Sequence, residues 1–425
     1  MKKFTEMSVA ELEAEYNSAK AEYESCKALG LKLDMSRGKP NSEQIDTVEG
    51  MLNILNKNED CFSNGLDVRN YGIVDGLPEA KKLFADLMEV KPENVIVAGN
   101  SSLNLMYDTL VGYMLFGSNG STPWCKLPKV KFLCPVPGYD RHFSVTEALG
   151  IEMINVKMTD NGPDVEEIKR LCENDDSVKG IWCNPKYSNP EGVVYSDETI
   201  KALAALKPAA KDFKIMWDNA YIVHFLAGGP VKIANIIEEC EKAGNPDLAI
   251  EFVSTSKISY PGAGVAAMAS SVNVINELKS RMSVQTIGPN KMNQLVHVRY
   301  FKDLNGVLTV MKKYADALKP RFELVLNMLE ESVGNKGIIS WKKPEGGYFI
   351  SVQVLNGTAK RVVELSKEAG VVLTGAGAAY PYKKDPDDSN IRLAPTFPPI
   401  EELKQAMHVF TVAVRLAAAE KLLSK

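Results

Sequence analysis

The chain has 425 residues, 45% hydrophobic and 24% charged, which is ordinary for a soluble globular protein and long enough for two domains. Its 50 basic residues stand against 54 acidic ones, so composition gives no support to nucleic acid or another polyanion as a partner. Seven scattered cysteines without a Cys-x-x-Cys pair, four histidines outside any metal-ligand spacing, and no apolar run near the roughly 18 residues of a membrane span predict a reduced, cytoplasmic protein with no metal and no membrane contact. The opening Met-Lys-Lys-Phe-Thr-Glu has charge but no apolar core behind it and does not read as a signal peptide.

Ser8-Val9-Ala10-Glu11 has the form of a capping box and predicts a charged helix to about Leu29. An extended piece from Leu31 ends in the turn at Arg37-Gly38-Lys39-Pro40, and residues 43–60 read as helical. A loop rich in Gly and Asn carries Arg69, Tyr71 and Gly72, and Leu77-Pro78 then opens a helix to about Glu89. From Asn94 the pattern alternates. Strands are predicted at 94–98, 131–135, 153–158, 179–183, 214–217, 251–255 and 265–270, with helices between most of them.

That alternation predicts an α/β fold with a mostly parallel, helix-covered sheet over residues 48–305. After about Asn305 the texture changes to a long helix, short strands around 337–352, 371–374 and 391–394, and a terminal helix. Residues 1–47 and 306–425 are expected to form a smaller α+β domain. In parallel sheets ligands collect at the carboxyl ends of the strands, so the residues just after each apolar run are the ones to compare.

Gly99-Asn100-Ser101-Ser102 lies between a strand and a helix, where backbone N–H groups and hydroxyls make an anion site; an ordinary serine cap is the plain alternative. Tyr139-Asp140-Arg141-His142 follows another strand and offers an aromatic ring beside an imidazole. Asn184-Pro185 and Asn189-Pro190 are two such units five residues apart. Asp218 ends an apolar strand, where a carboxylate is costly without a partner, and Tyr221 stands three residues on. Lys257 follows Ser254-Thr255-Ser256 at the next strand end, poorly placed for a simple solvated charge and well placed for a Schiff base beside a phosphate. A phosphate cradle, an aromatic plate, a buried acid, a phenol, an amide and an amine nucleophile are what pyridoxal phosphate requires.

Asn184-Pro…Asn189-Pro-x-Gly192, Asp218-x-x-Tyr221, Ser254-x-Ser256-Lys257, Pro344-x-Gly-Gly and Asn390-Ile-Arg392 occur here in the order found in fold-type I pyridoxal-phosphate aminotransferases of the class I/II group. The chain resembles that family over nearly its whole length, and within it a divergent aspartate aminotransferase branch. The resemblance implies pyridoxal 5'-phosphate as cofactor, with Lys257 as the lysine that takes its aldehyde and then moves the substrate's proton. Asp218 would pair with the ring nitrogen, His142 would support Asp218 from behind, and Tyr139 would stack on the ring. Tyr221 and Asn189 would bond the ring oxygen, and Ser101, Ser102 and Ser254 the phosphate. Tyr71 would reach the phosphate of a neighbouring subunit in a homodimer. Arg392 would take the substrate α-carboxylate, with the Gly38 backbone and Asn189 beside it.

Two departures stand out. Where the family has Pro-Gly-x-Arg, this chain has Pro261-Gly-Ala-Gly264, so a phosphate-binding charge is missing and Lys291 is the expected substitute. The arginine that reads a second substrate carboxylate also has no clear counterpart; Arg37, Lys39 and Arg141 are candidates. The implied reaction transfers the amino group between L-aspartate or L-glutamate and 2-oxoglutarate or oxaloacetate in two half-reactions. Competing readings are an aromatic or neutral amino-acid aminotransferase or a C–S lyase of the same fold. More distant is an NAD-dependent dehydrogenase, suggested by Gly262-x-Gly264-x-x-Ala267.

Overall fold

A computed structural model describes residues 2–424. Its centre is an eight-stranded sheet in the order Val95–Val97, Ala266–Ala269, Ala249–Ser254, Lys214–Asp218, Val178–Cys183, Lys131–Val136, Glu152–Thr159, Gly162–Pro163. The four strands from Ala249–Ser254 to Lys131–Val136 run parallel, as does Glu152–Thr159 beside them. Ala266–Ala269 is antiparallel to both its neighbours, which returns Val95–Val97 to the common direction. The strands carrying Asp218 and Ser254 therefore end at one edge, with the ends of Val95–Val97, Lys131–Val136 and Val178–Cys183.

The strands are apolar on both faces because each face packs against helices, and alternate residues feed different cores. Ile96, Phe132, Trp182, Met216, Ile250 and Phe252 join Leu105, Met106 and Leu110 of the helix Ser102–Phe116. Leu133, Ile181, Ile215 and Trp217 face the other way, onto Ile168, Ile200 and Leu203.

A three-stranded antiparallel sheet of Ile339–Trp341, Ile350–Val354 and Asn390–Leu393 places Arg392 opposite Ser351. The N-terminal segment joins this part of the molecule. Leu33–Asp34 pairs with Val371–Val372, and the helix Val9–Ala28 packs along Ile400–Leu423, with Arg415 donating to Glu15 at 2.8 Å and Glu22 at 2.6 Å. No helix among the described residues is long and apolar enough to cross a membrane.

Two expectations need correction. The helix expected over 43–60 stops at Asp46 and gives way to short 3-10 turns at Glu49–Asn53 and Asn58–Cys61. Thr47-Val48 and Gly50 are weak helix formers, and the Thr47 and Val48 carbonyls are taken by the hydroxyls of Tyr300 and Tyr260. Residues 272–301, left unassigned by the sequence pattern, form the helices Val272–Gln285 and Lys291–Phe301, capped by Ser271 and Asn290.

Behind the sheet, Glu251 is buried and accepts from Asn219 Nδ2 at 2.7 Å. Burial pushes its carboxyl up to about 7 from an ordinary 4.5. Between those values the folded chain keeps a proton that the unfolded chain has lost, so stability falls as pH rises. Glu251→Gln should change stability little near about pH 4 and add roughly 2–3 kcal/mol near about pH 8 in urea titrations.

Candidate active site

A cavity of about 440 Å³ opens at the carboxyl ends of the parallel strands. Tyr139, Asn189, Asp218, Tyr221, Lys257 and Arg392 line it, with Gly38 contributed by the N-terminal segment. Seven residues from six separate stretches of sequence thus meet in one space.

Asp218 closes the strand Lys214–Asp218 and is 2% exposed. His142 Nε2 donates to its Oδ2 at 2.8 Å, and the imidazole lies flat on Trp182, centroids 4.3 Å apart and planes 4° from parallel. Tyr139 meets the same imidazole edge-on at 5.0 Å. The other carboxylate oxygen, Oδ1, is buried without a hydrogen-bond partner. A buried carboxylate oxygen of this kind is costly unless a donor reaches it, and Asp218 is one of the residues that line the cavity. Asn184 fixes the turn by donating from Nδ2 to the Asp218 carbonyl at 2.6 Å and accepting from the Asn189 N–H at 2.6 Å.

Lys257 lies just beyond the strand Ala249–Ser254, its amine 5.2 Å from the centroid of the Tyr221 ring. Burial lowers the pKa of that amine from the ordinary lysine value, while the Asp218 charge acts in the opposite direction. Burial also raises the pKa of the Tyr221 phenol, so it remains a donor. An amine biased toward its neutral form beside a buried acid is suited to nucleophilic attack and to proton transfer.

Arg392 Nη1 donates to Asp140 Oδ1 at 2.9 Å and to Asn189 Oδ1 at 3.1 Å, and the guanidinium sits 4.6 Å from the Phe349 ring centroid. Its Nε is buried and unpartnered. Arg37 and Arg141 line the same cavity, and neither pairs with a carboxylate among the described residues. Lys39 does not line it; its amine lies over the Phe397 ring at 3.7 Å.

The hydroxyl residues gather at the next strand ends. Ser101 caps the helix Ser102–Phe116, its Oγ accepting from the Leu103 N–H at 3.2 Å, while Ser102 is buried. Ser254 pairs opposite Ala266 and donates to Ser256 Oγ at 3.1 Å, and Ala266 N–H donates to the Gly99 carbonyl at 2.7 Å. A Cβ at Gly264 would stand 3.1 Å from the Asn100 carbonyl, so the missing arginine side chain would start from a crowded position. Gly264 leads into a strand, not a helix, which removes the anion-binding helix that the dinucleotide reading requires.

Tyr71 and Lys291 lie outside the cavity. Tyr71 is 79% exposed, and Lys291 is buried beside it, donating from Nζ to the Gly72 carbonyl at 2.8 Å. Asn293, on the same first helical turn, donates to the Ala263 and Gly264 carbonyls at 2.9 and 3.0 Å. Asp140, Phe349, Trp182 and Thr374 were missed in the sequence. Of these only Asp140 had a signal, its place directly after Tyr139 at a strand end.

The profile of the aspartate amino-transferase family matches residues 7–425. The chain belongs to the aspartate aminotransferase family. It is 45% identical to an aspartate aminotransferase of Corynebacterium glutamicum over 406 residues, 95% of this chain and 94% of that one. The solved structure of an aspartate transaminase from the same organism superposes with a TM-score of 0.96, at 44% identity over 98% of each chain. An α-aminoadipate aminotransferase of Thermus thermophilus, solved in complex with N-(5'-phosphopyridoxyl)-L-leucine, shares the fold at a TM-score of 0.74 and 17% identity, covering 92% of this chain and 93% of that one. The protein is thus an aminotransferase of this family, with the α/β fold that its strand–helix alternation predicts.

Proposed function

We propose that this aminotransferase uses pyridoxal 5'-phosphate held on Lys257 to pass the amino group between L-aspartate or L-glutamate and 2-oxoglutarate or oxaloacetate, in a ping-pong sequence. The observation that carries the reading is Asp218, a residue lining the cavity, with one oxygen fixed by His142 and the other buried and without a partner among the described residues. A protonated pyridine nitrogen is the donor that such an oxygen lacks, and the residues present fit the cofactor. When bound, pyridoxal phosphate supplies an aldehyde that accepts an amine and a ring that withdraws electrons from the substrate Cα.

The chain's own groups then have definite tasks. Asp218 holds the ring-nitrogen proton, and His142 and Trp182 keep the carboxylate in place. Tyr139 would stack on the ring, and Tyr221 and Asn189 would hydrogen-bond its oxygen, all three being residues of the cavity lining. Lys257 carries the proton to and from the substrate Cα, its lowered pKa matching it to that work. Ser101, Ser102 and Ser254 receive the phosphate. Lys291, a buried ammonium with a single carbonyl partner on the helix packed against Gly264, supplies the charge that Gly264 cannot. Lys291→Ala should weaken cofactor binding about 10-fold or more, measured by fluorescence titration of the apoenzyme. Wild-type affinity would remove Lys291 from the site.

Arg392 takes the substrate α-carboxylate, beside Asn189 and the Gly38 backbone, exchanging its contact with Asp140 for the substrate. Arg37 and Arg141 favour an anionic side chain, because each belongs to the lining of the same cavity and neither pairs with a carboxylate among the described residues. For whichever of the two reads the distal carboxylate, replacement with alanine is expected to lower kcat/KM for aspartate by about 100-fold while leaving activity toward L-alanine nearly unaffected. If both variants lost aspartate and alanine activity equally, neither would be a specificity residue.

The reading includes a homodimer and a division into residues 48–305 and a smaller unit of 1–47 with 306–425. Val284 is 91% exposed, Ile287 62% and Tyr71 79%, and Gly288, next to Ile287, packs against the Gly72 carbonyl next to Tyr71. A second copy would cover these side chains and receive Tyr71 at its phosphate. Sedimentation of the holoenzyme as a monomer at micromolar concentration would refute this part. All seven cysteines are free, which supports a cytoplasmic location.

A further inference from the structure

Lys257 is restrained through its main chain as well as by the surroundings of its amine. Its carbonyl oxygen lies 3.1 Å from His224 Nε2 and, among the described residues, has no main-chain donor. A carbonyl only accepts, so Nε2 carries the ring proton and Nδ1 is a bare acceptor. That Nδ1 is buried and unpartnered, and burial holds the imidazole neutral, its pKa lowered to about 3. A phenylalanine would fill similar space without leaving a bare nitrogen. Among the described residues, the one ring hydrogen bond of ordinary geometry is the bond to the Lys257 carbonyl.

The same residue reaches two further parts of the site. Its ring meets Tyr221 edge-on at 5.5 Å, and the Lys257 amine lies 5.2 Å from the centroid of that same Tyr221 ring. Its own carbonyl accepts from the Gly347 N–H at 2.8 Å, and the neighbouring Phe225 bridges to Gly346. A Cβ on Gly346 would fall 2.4 Å from the His224 carbonyl, so the turn closes on this residue only as glycine. From Gly347 the chain runs into Ile350–Val354, whose Ser351 lies opposite Arg392.

We propose that His224 is a positioning residue for the reaction, tying the Lys257 main chain and the Tyr221 ring to the turn that leads to the strand beside Arg392. The separation between the amine that handles the Cα proton and the guanidinium that holds the carboxylate is then set by one joint. Thr255 and Ser259, two residues to either side of Lys257, are held separately by His297 Nε2 at 3.1 and 2.8 Å. Loss of the His224 bond therefore frees the Lys257 peptide without releasing the whole loop.

The proposal rests on Lys257 as the cofactor lysine, and the holoenzymes of His224→Phe and His224→Gln test it. Glutamine keeps a donor close to Nε2; phenylalanine keeps only the bulk. His224→Phe is expected to fold, to lose about 10-fold or more in kcat, and to move the pH midpoint of the bound cofactor's visible absorbance by about half a unit or more. His224→Gln is expected to recover most of both. Wild-type kcat and midpoint in His224→Phe would overturn the proposal. So would a folded His224→Gln as impaired as His224→Phe, or failure of both variants to fold, which would make His224 a core residue alone. A Lys257→Ala enzyme that kept the visible band would instead refute the assignment of Lys257, so the two failures are distinguishable.

Discussion

Lys257→Ala should leave a folded protein with no measurable transamination, a loss of several orders of magnitude in kcat, and no visible absorbance from covalently held cofactor. The loss has two parts. The variant lacks the amine that holds the aldehyde, and it lacks the base that moves the Cα proton. Lys257→Arg separates these roles from charge. It restores a cation near Asp218 but not a group whose proton can leave near neutrality, so it should be as inactive as the alanine variant. The environment supports this division, since burial already lowers the Lys257 pKa and biases it toward the form that accepts a proton. Exogenous methylamine should recover part of the proton transfer in Lys257→Ala, read as a rate that rises with amine concentration. An alanine variant that remained yellow and active would put the lysine elsewhere.

Asp218→Asn should lower kcat by about 100- to 1,000-fold while leaving the protein folded. Asparagine can still accept from His142, so the contact at 2.8 Å and the stack on Trp182 survive. It carries no charge, however, and cannot hold a proton on the ring nitrogen, so the electron demand on the substrate Cα falls. His142→Phe should have a smaller effect, about 10-fold, because it removes the support and not the charge. Steady-state kinetics with aspartate, paired with cofactor affinity, separates the two. Equal losses in both variants would mean that Asp218 acts only as a structural partner of His142.

How much of this was legible in the sequence depended on where each residue sits relative to a strand. Asp218, Lys257, Tyr139 and Ser101 each stand at or within a few residues of the end of an apolar run, and the common direction of those strands brings the ends to one edge. Contacts between distant segments were not legible. Asp140 and Arg392 are 252 residues apart in the chain and meet only because the small sheet folds back over the large one. Trp182 reads as a core residue, which it is, and its second use as a platform for His142 depends on facing geometry that periodicity does not contain. The helix expected over 43–60 failed for a similar reason, since tyrosines more than 200 residues away take the carbonyls that would have continued it. Lys39 was separated from Arg37 and Arg141 only by the direction its amine takes, over Phe397 and out of the cavity.

The central claim is that Lys257-held pyridoxal phosphate accepts the amino group of aspartate. Its most direct test is a single half-reaction of holoenzyme with L-aspartate and no oxo acid. The account predicts that the cofactor's visible band is lost in step with release of one oxaloacetate per site, and that 2-oxoglutarate then restores the band. Bleaching by leucine, alanine or phenylalanine but not by aspartate would contradict the substrate assignment, and release of many equivalents of oxo acid per site together with ammonia, with no acceptor present, would contradict transamination as the reaction.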